Sequence, residues 1–399
     1  MKKTIKDVDV SNKKVLVRVD FNVPVDDRGN ITDDTRILET LPTINYLRQM
    51  KAKIILMSHL GRPKGAVVEK YSLKPVAKRL SEILKVPVKM APGCVDEETR
   101  KIAASLSASE ILLLENLRFD KREENNDPEF ASQLASMAEM FVQDAFGTVH
   151  RAHASTEGAA KHLPSVCGFL LEKEILYFNK VLEKPERTFV AILGGAKVSD
   201  KIAVIQNLLD KVDAMVIGGA MAYTFLKAGN ISVGNSLIEK DRIDMAGEIM
   251  QKAKSKKVGF FLPIDHVIAD KISENAQVKE TRGVEIPDGW TGVDIGDMTI
   301  NRIAPVILSA RTIMWNGPMG IFEMDKFFKG TGKVAELVAE ATQKGAVSII
   351  GGGDTVSAVK KSKLADRVSH ISTGGGASLE LLEGKILPGI AVLPEKASR

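Results

Sequence analysis

Ser348-Ile349-Ile350-Gly351-Gly352-Gly353-Asp354-Thr355 decides how the chain is read: an apolar strand runs into three glycines, a carboxylate and a hydroxyl, and helix-forming residues follow. Glycine lets the backbone take positive φ and approach a ligand closely, and a helix opening at Thr355 aims its unsatisfied N–H groups at an anion. Asp354 adds the hard oxygen that Mg²⁺ requires, so the stretch reads as a phosphate cradle with a metal ligand beside it. Taken singly, it reads equally well as a glycine-rich turn between a strand and a helix. Repetition decides. His370-Ile371-Ser372-Thr373-Gly374-Gly375-Gly376-Ala377-Ser378 has the same plan and is followed by Leu379, Leu381 and Leu382. If both turns follow parallel strands of one sheet, both helix N-termini point into the crevice beyond the carboxyl ends of the strands, where open α/β sheets bind ligands.

A chain of 399 residues exceeds what one core serves, so two domains are expected. Hydrophobic residues make up 44% and charged residues 27%, as in ordinary globular proteins. No apolar run approaches the roughly eighteen residues of a membrane span. The start, Met1-Lys2-Lys3-Thr4-Ile5-Lys6-Asp7, lacks the apolar core of a signal peptide, so the expectation is a cytoplasmic protein that uses no membrane. Cys94 and Cys167 have no metal-type spacing and imply neither a disulfide framework nor a zinc site. The net charge of +5 is modest and the basic residues are balanced along most of the chain, which argues against nucleic acid and leaves small anions as partners.

In the amino-terminal half, Lys14-Val15-Leu16-Val17-Arg18-Val19-Asp20-Phe21-Asn22-Val23-Pro24 begins as a strand and ends in polar residues that alternate onto one side. Asp20 and Asn22 read either as turn caps or as part of a site. Thr32-Asp33-Asp34-Thr35-Arg36 then precedes a helical pattern of Ile37, Leu41, Ile44 and Leu47. An arginine in a first helical turn opposes the macrodipole unless an anion meets it. Lys53-Ile54-Ile55-Leu56-Met57 is an apolar strand of the doubly covered parallel type, and it discharges into Ser58-His59-Leu60-Gly61-Arg62-Pro63-Lys64-Gly65. Further strands end near Arg118 and near His150-Arg151-Ala152-His153. Each arginine alone would be a solvated surface residue. Together, Arg36, Arg62, Arg118 and Arg151, with three of the six histidines, form one basic cluster for a phosphorylated or carboxylated small molecule.

Leu171, Ile175, Phe178 and Leu182 recur at helical spacing between Gly168 and Pro185, which predicts a helical connector. Beyond it Phe189 to Leu193 runs into Gly194-Gly195-Ala196-Lys197, Ala214 to Ile217 into Gly218-Gly219-Ala220, and Thr312 to Trp315 into Asn316-Gly317-Pro318. With the two turns above, five strands end in glycine and helical patterns intervene, so a second parallel sheet is expected. Lys197 and Lys201 stand four apart, and on a helix opening there they share a face that suits an anion; two solvated lysines are the alternative. No Walker A pattern, no dinucleotide fingerprint after a strand and no protein-kinase H-R-D occurs.

Arg18 to Pro24, Ser58 to Gly65, Asp144 to Gly158, Gly194 to Ile202, Trp315 to Gly320, Gly351 to Thr355 and Ser372 to Gly384 resemble the signature segments of the phosphoglycerate kinase family, in its order and over essentially the whole chain. The resemblance implies an α/β protein of two Rossmann-like three-layer domains with parallel sheets: residues 1–170, an interdomain helix over 171–185, a nucleotide domain over 186–379, and a tail, 380–399, that packs back on the first. It implies that Asp20, Phe21, Asn22, Arg36, His59, Leu60, Gly61, Arg62, Arg118 and Arg151 hold 3-phosphoglycerate or 1,3-bisphosphoglycerate. It implies that Lys197, Lys201, Gly218, Gly219, Gly292, Asn316, Pro318, Glu323, Gly352, Gly353, Asp354 and Thr355 hold ATP or ADP, with Asp354 on Mg²⁺. Ala220 and Asp297 stand where many relatives have glycine and proline.

The implied reaction is reversible phosphoryl transfer between the acyl phosphate and ADP, by a monomer whose domains close about a hinge. Its charge would be neutralised by Arg36, Lys197, Lys201, Mg²⁺ and the backbone N–H groups of the Gly353 and Gly376 turns. Two other readings of the residues stand beside it. A dehydrogenase of a phosphorylated acid would respond in a nicotinamide fluorescence titration. A non-catalytic phosphoanion-binding or nucleic-acid-binding protein would retain oligonucleotides at physiological salt.

Overall fold

The computed structural model describes residues 1–26 and 28–396. The chain divides into two compact units, one made of Met1–Leu176 with the C-terminal segment from Ile386, the other of Tyr177–Lys385.

The first unit is built on a six-stranded parallel sheet of β1 (Lys14–Arg18), β2 (Lys53–Met57), β3 (Val88–Met90), β4 (Ile111–Leu113), β5 (Met140–Gln143) and β6 (Ser165–Cys167), in the order β3-β4-β2-β1-β5-β6. Its near-continuous apolar strands follow from burial on both faces. Val15, Val17, Ile54 and Leu56 pack on one side with Ile37, Ile44 and Leu47 of the Thr35–Gln49 helix. Leu16, Ile55 and Met57 pack on the other with Phe130, Leu134 and Phe141. The edge strands β3 and β6 are three residues each and were passed over in the sequence, where so short a run has no period to detect. The C-terminal segment belongs to this unit: Lys3 N–H donates to Pro394 O at 3.0 Å, Gly389 N–H to Val149 O at 2.9 Å, and Lys2 pairs with Glu395 at 2.8 Å. The last three residues of the expected 380–399 tail lie outside the described residues.

The second unit carries β7 (Phe189–Leu193), β8 (Ala214–Ile217), β9 (Gly259–Phe261), β13 (Thr312–Asn316), β14 (Val347–Gly351) and β15 (His370–Ile371), all parallel, in the order β15-β14-β13-β7-β8-β9. Val190, Ile192, Ile313, Trp315 and Ile350 meet Val334, Val338, Ile303 and Ile307 of two helices on one face. The five glycine exits lie at the carboxyl ends of five of these strands. Between β9 and β13 the chain makes a three-stranded antiparallel sheet, β11-β10-β12, from β10 (His266–Ala269), β11 (Val278–Glu280) and β12 (Thr291–Ile295), which the sequence reading did not foresee. Val278–Glu280 is exposed throughout, so no buried face stamps an alternation on it.

The connecting helix runs Phe169–Leu182, and its first turn is tied down inside the first unit. The Asp144 carboxylate, at the end of β5, accepts the Leu170 and Leu171 N–H groups at 2.9 and 3.2 Å, and Phe169 N–H donates to Thr43 Oγ1 at 2.9 Å. Burial pushes the Asp144 carboxyl up to about 7. The native state therefore binds this proton more tightly than the unfolded chain, so the stability it contributes is complete below about pH 4 and lost as pH rises through 7. Asp144→Asn keeps an acceptor and removes the titration. In urea titrations from pH 4 to 7 the variant should gain on the parent by on the order of 2 kcal/mol; curves that stay parallel would refute the assignment.

Candidate functional site

In the first unit the candidate residues converge where β1, β2, β4 and β5 end. Asp20 is 5% exposed, and its Oδ2 accepts from Arg36 Nη1 at 2.9 Å. The same Nη1 donates to Asn22 O at 3.2 Å, so Arg36 is drawn from the start of its helix toward the strand exit. Asn22 Oδ1 accepts Gly61 N–H at 2.9 Å, and Phe21 N–H donates to Ser58 Oγ at 2.9 Å. Leu60 N–H donates to Asn116 Oδ1 at 3.2 Å, while Arg118 Nη1 donates to Gly61 O at 2.7 Å and Arg118 Nε stands 3.1 Å from Glu124. Arg151 Nε meets His150 Nε2 at 3.2 Å. Arg62 is exposed, beside Gly61 but outside these hydrogen bonds.

The histidines alter the reading of this cluster. Burial, and then the surrounding Arg18, Arg118, Arg36 and Arg151, hold the His59 imidazole well below its ordinary value. Burial and the same kind of surroundings push His153 down to about 3. At neutral pH both are uncharged, so they supply hydrogen bonds and not the positive charge expected of them. Arg18, the last residue of β1, reads in the sequence as a strand residue. It is 1% exposed, with Nε donating to Ser155 Oγ at 2.8 Å and Nη2 at 3.2 Å from His59 Nδ1. A cation in the last position of an otherwise apolar strand was the signal available.

In the second unit the loops after β7, β8, β13 and β14 adjoin. A Cβ on Gly317 would stand 2.2 Å from Gly194 O, and one on Gly194 would stand 2.0 Å from Pro318 O, so the two exits meet backbone on backbone. A Cβ on Gly218 would strike Met319 Sδ at 2.5 Å. Gly352 has φ 87 and caps a helix that opens at Gly353, two residues earlier than expected, which puts Asp354 in its first turn. Thr355 Oγ1 is buried and accepts Gly317 N–H at 2.6 Å. A Cβ on Gly353 or Gly375 would meet nothing within 4 Å, and Gly376 follows in the first turn of the Gly375–Leu382 helix.

The two lysines do not share a helical face. The helix after β7 is Ile202–Leu208, with Lys201 at its N-cap position, because residues 194–201 are taken up by the glycine turn and by a second turn closed by Lys201 N–H on Val198 O at 2.9 Å. Lys197 stands exposed on that loop. Lys201 is 9% exposed, and its Nζ donates to Asn316 Oδ1. Burial brings the Lys201 ammonium down to about 8, against the pull of Asp200, Asp354 and Glu383. Asn316 Nδ2 is buried without a partner, facing Gly351 and Gly352. A cavity of about 290 Å³ beside these turns is lined by Gly195, Gly219, Tyr223, Gly292, Pro318, Glu323 and Asp354 among others. Asp354 is exposed on its wall, and no group of three or more metal-ligating side chains occurs among the described residues. A cation there needs oxygens brought by the ligand, as Mg²⁺ sites built on one carboxylate and substrate phosphates do.

The family model described as phosphoglycerate kinase matches residues 5–385. The cytosolic phosphoglycerate kinase of Triticum aestivum is 55% identical over 393 residues, 98% of either chain, and the phosphoglycerate kinase of Chloroflexus aurantiacus is 54% identical over 396 residues, 99% of either. The solved phosphoglycerate kinase of Coxiella burnetii superposes with a TM-score of 0.90 at 41% identity, and that of Pyrococcus horikoshii OT3 with 0.84 at 30%, each covering 98% of both chains. No helix is long and apolar enough to cross a membrane among the described residues. The chain belongs to the phosphoglycerate kinase family, the phosphotransferases of glycolysis that use a carboxyl group as acceptor.

Proposed function

We propose that the chain divides this reaction between its units, the first holding 3-phosphoglycerate or 1,3-bisphosphoglycerate and the second holding ATP or ADP with Mg²⁺. The observation that carries the first half is the concentration of Arg18, Arg36, Arg118 and Arg151 about one buried imidazole. Like charges so close repel, and a multiply charged acid relieves that repulsion on binding. Arg36 and Arg118 present guanidinium forks, Asp20 and Asn22 orient Arg36 and the Gly61 loop, and Arg62 reaches from solvent.

In the second half, Asn316 Nδ2 is a buried donor awaiting an acceptor, next to Lys201 and the Gly352–Thr355 turn. Nucleotide phosphates supply that acceptor and meet the helix N-terminus at Gly353. Gly219, Gly292 and Pro318 line the cavity, with Gly219 and Gly292 too close-packed for a side chain and Gly218 packed on Met319 behind them, which suits a flat base, and Glu323 stands at the pocket for the ribose. Asp354, in the first turn of the Gly353–Lys361 helix, would hold Mg²⁺, whose charge would offset that of the phosphates.

The acceptor carboxylate, with a reference pKa of about 4, is ionised at neutral pH and needs no general base. The protein's work is to orient the two ligands, to offset charge through Arg36, Lys197, Lys201 and the Gly353 and Gly376 N–H groups, and to exclude water. Closure of the units on bound ligands supplies the last. A monomer in the cytoplasm is in keeping with this reading.

Lys201 gives a test of the nucleotide half. With its ammonium held near 8 in the free protein, kcat/KM for the nucleotide should fall about tenfold per pH unit above that value. The kcat profile should bend later, because bound phosphates favour the charged amine. A kcat/KM flat to pH 9.5 would remove Lys201 from the phosphate site.

A further inference from the structure

Beneath the arginine cluster lies a fully buried carboxylate that the reaction does not require. Glu123, in the short Lys121–Glu124 helix, is 0% exposed. Its Oε2 accepts Ser155 N–H at 3.0 Å and its Oε1 accepts Ser155 Oγ–H at 2.6 Å. Ser155 sits in the π-helical turn Ala154–Gly158, directly after the His150–His153 segment, and its Oγ in turn accepts Arg18 Nε–H at 2.8 Å. Arg18 Nη2 then stands 3.2 Å from His59 Nδ1. An apolar residue would stabilise such an interior site at lower cost than a carboxylate.

The direction of this chain is fixed by chemistry. Burial raises the Glu123 carboxyl against the pull of Arg18 and the two Ser155 hydrogen bonds; in its ionised form it only accepts, so the single Ser155 hydroxyl proton is committed to Glu123 and the oxygen's lone pairs are left for Arg18. A guanidinium only donates, so His59 Nδ1 accepts from Arg18 and the imidazole, kept neutral by its surroundings, carries its proton on Nε2. The relay thus ends in a His59 Nε2–H donor, with Arg18 on Nδ1 and Asp20 Oδ1 3.9 Å from that same nitrogen.

We infer that Glu123 is a positioning residue for the acid substrate: through Ser155 and Arg18 it sets the tautomer of His59 and aims the buried guanidinium. The inference rests on the reading of this cluster as the 3-phosphoglycerate site. Glu123→Gln keeps the volume but introduces an amide donor, which competes with Arg18 for the Ser155 oxygen. Ser155→Ala removes the relay and leaves Glu123 only the backbone N–H of residue 155.

Each variant should raise KM for 3-phosphoglycerate on the order of tenfold, as for loss of one oriented hydrogen bond, and leave KM for the nucleotide and kcat within about twofold. The double variant should be no worse than either single one, since both break the same chain. Long-range ¹⁵N–¹H spectra should show His59 as the Nε2–H tautomer in the parent and a mixture in Glu123→Gln. Arg62→Ala serves as the control for the site itself. If it raises the acid KM while Glu123→Gln and Ser155→Ala do not, or if these two affect both substrates alike, the inference falls and the site stands. If none of the three moves the acid KM, the site reading falls and takes the inference with it. Should Glu123→Gln fail to fold, Ser155→Ala and its His59 spectrum decide.

Discussion

Arg36→Ala is expected to lower kcat by on the order of 10³ or more, the range reported by arginines that stabilise a transferring phosphoryl group. The reasoning begins with an electrostatic oddity. Arg36 occupies the first turn of the Thr35–Gln49 helix, where a cation opposes the macrodipole, and that helix has no acidic residue in its first turn to offset it. Asp20 Oδ2 and Asn22 O hold its Nη1 at 2.9 and 3.2 Å, fixing the guanidinium ahead of any ligand. Pre-orientation of this kind acts on the transition state, so kcat should suffer more than KM for the acid. Arg36→Lys should recover little, because an ammonium lacks the planar fork. A loss below tenfold in steady-state turnover, with the circular dichroism unchanged, would take Arg36 off the catalytic list.

Asp354→Ala is expected to lower kcat/KM for the magnesium nucleotide by at least about a hundredfold while KM for the acid stays nearly constant. Partners that merely orient a metal ligand are already worth roughly 10–100-fold in metal affinity, and Asp354 is the carboxylate at the cavity wall in the first turn of the Gly353–Lys361 helix. Direct titration of ADP with and without Mg²⁺ separates the causes. The parent should bind more tightly with the metal, and the variant should lose most of that difference. An unchanged metal dependence would exclude Asp354 as the ligand.

Much of this was legible because the physics was local. The runs at Val15, Ile54, Ile192, Ile313 and Ile350 are buried on both faces, and their apolar character names them as parallel strands in the sequence itself. The Gly351–Gly353 turn was legible for a related reason, since Gly352 caps the helix at φ 87, which admits little but glycine, whereas a Cβ on Gly353 or Gly375 would meet nothing within 4 Å. Family resemblance then supplied the substrates, and the full-length match left the dehydrogenase and the passive binder without support.

What escaped was long-range. Arg18 read as one charged residue in a strand, and its partner Ser155 lies 137 positions away. Glu123 sat in a run of charges, Lys121-Arg122-Glu123-Glu124, that looks like a solvated surface until the Ala154–Gly158 turn closes over it. The shared helical face of Lys197 and Lys201 failed because spacing says nothing about where a helix starts, and two closing turns delay it to Ile202. The charges assigned to His59 and His153 failed because burial among arginines, invisible in sequence, removes their protons.

Hydrogen–deuterium exchange of the full chain with each ligand alone tests most directly whether acid and nucleotide are held by separate units. With 3-phosphoglycerate, protection is expected around Asp20–Asn22, Gly61–Arg62, Arg118 and Arg151, and not at the glycine turns of the second unit. With MgADP it is expected at Gly194–Lys201, Asn316–Pro318 and Gly352–Thr355 and not at the arginines. Protection of the Gly352–Thr355 turn by the acid alone, with the arginine cluster exchanging as freely as before, would contradict the account.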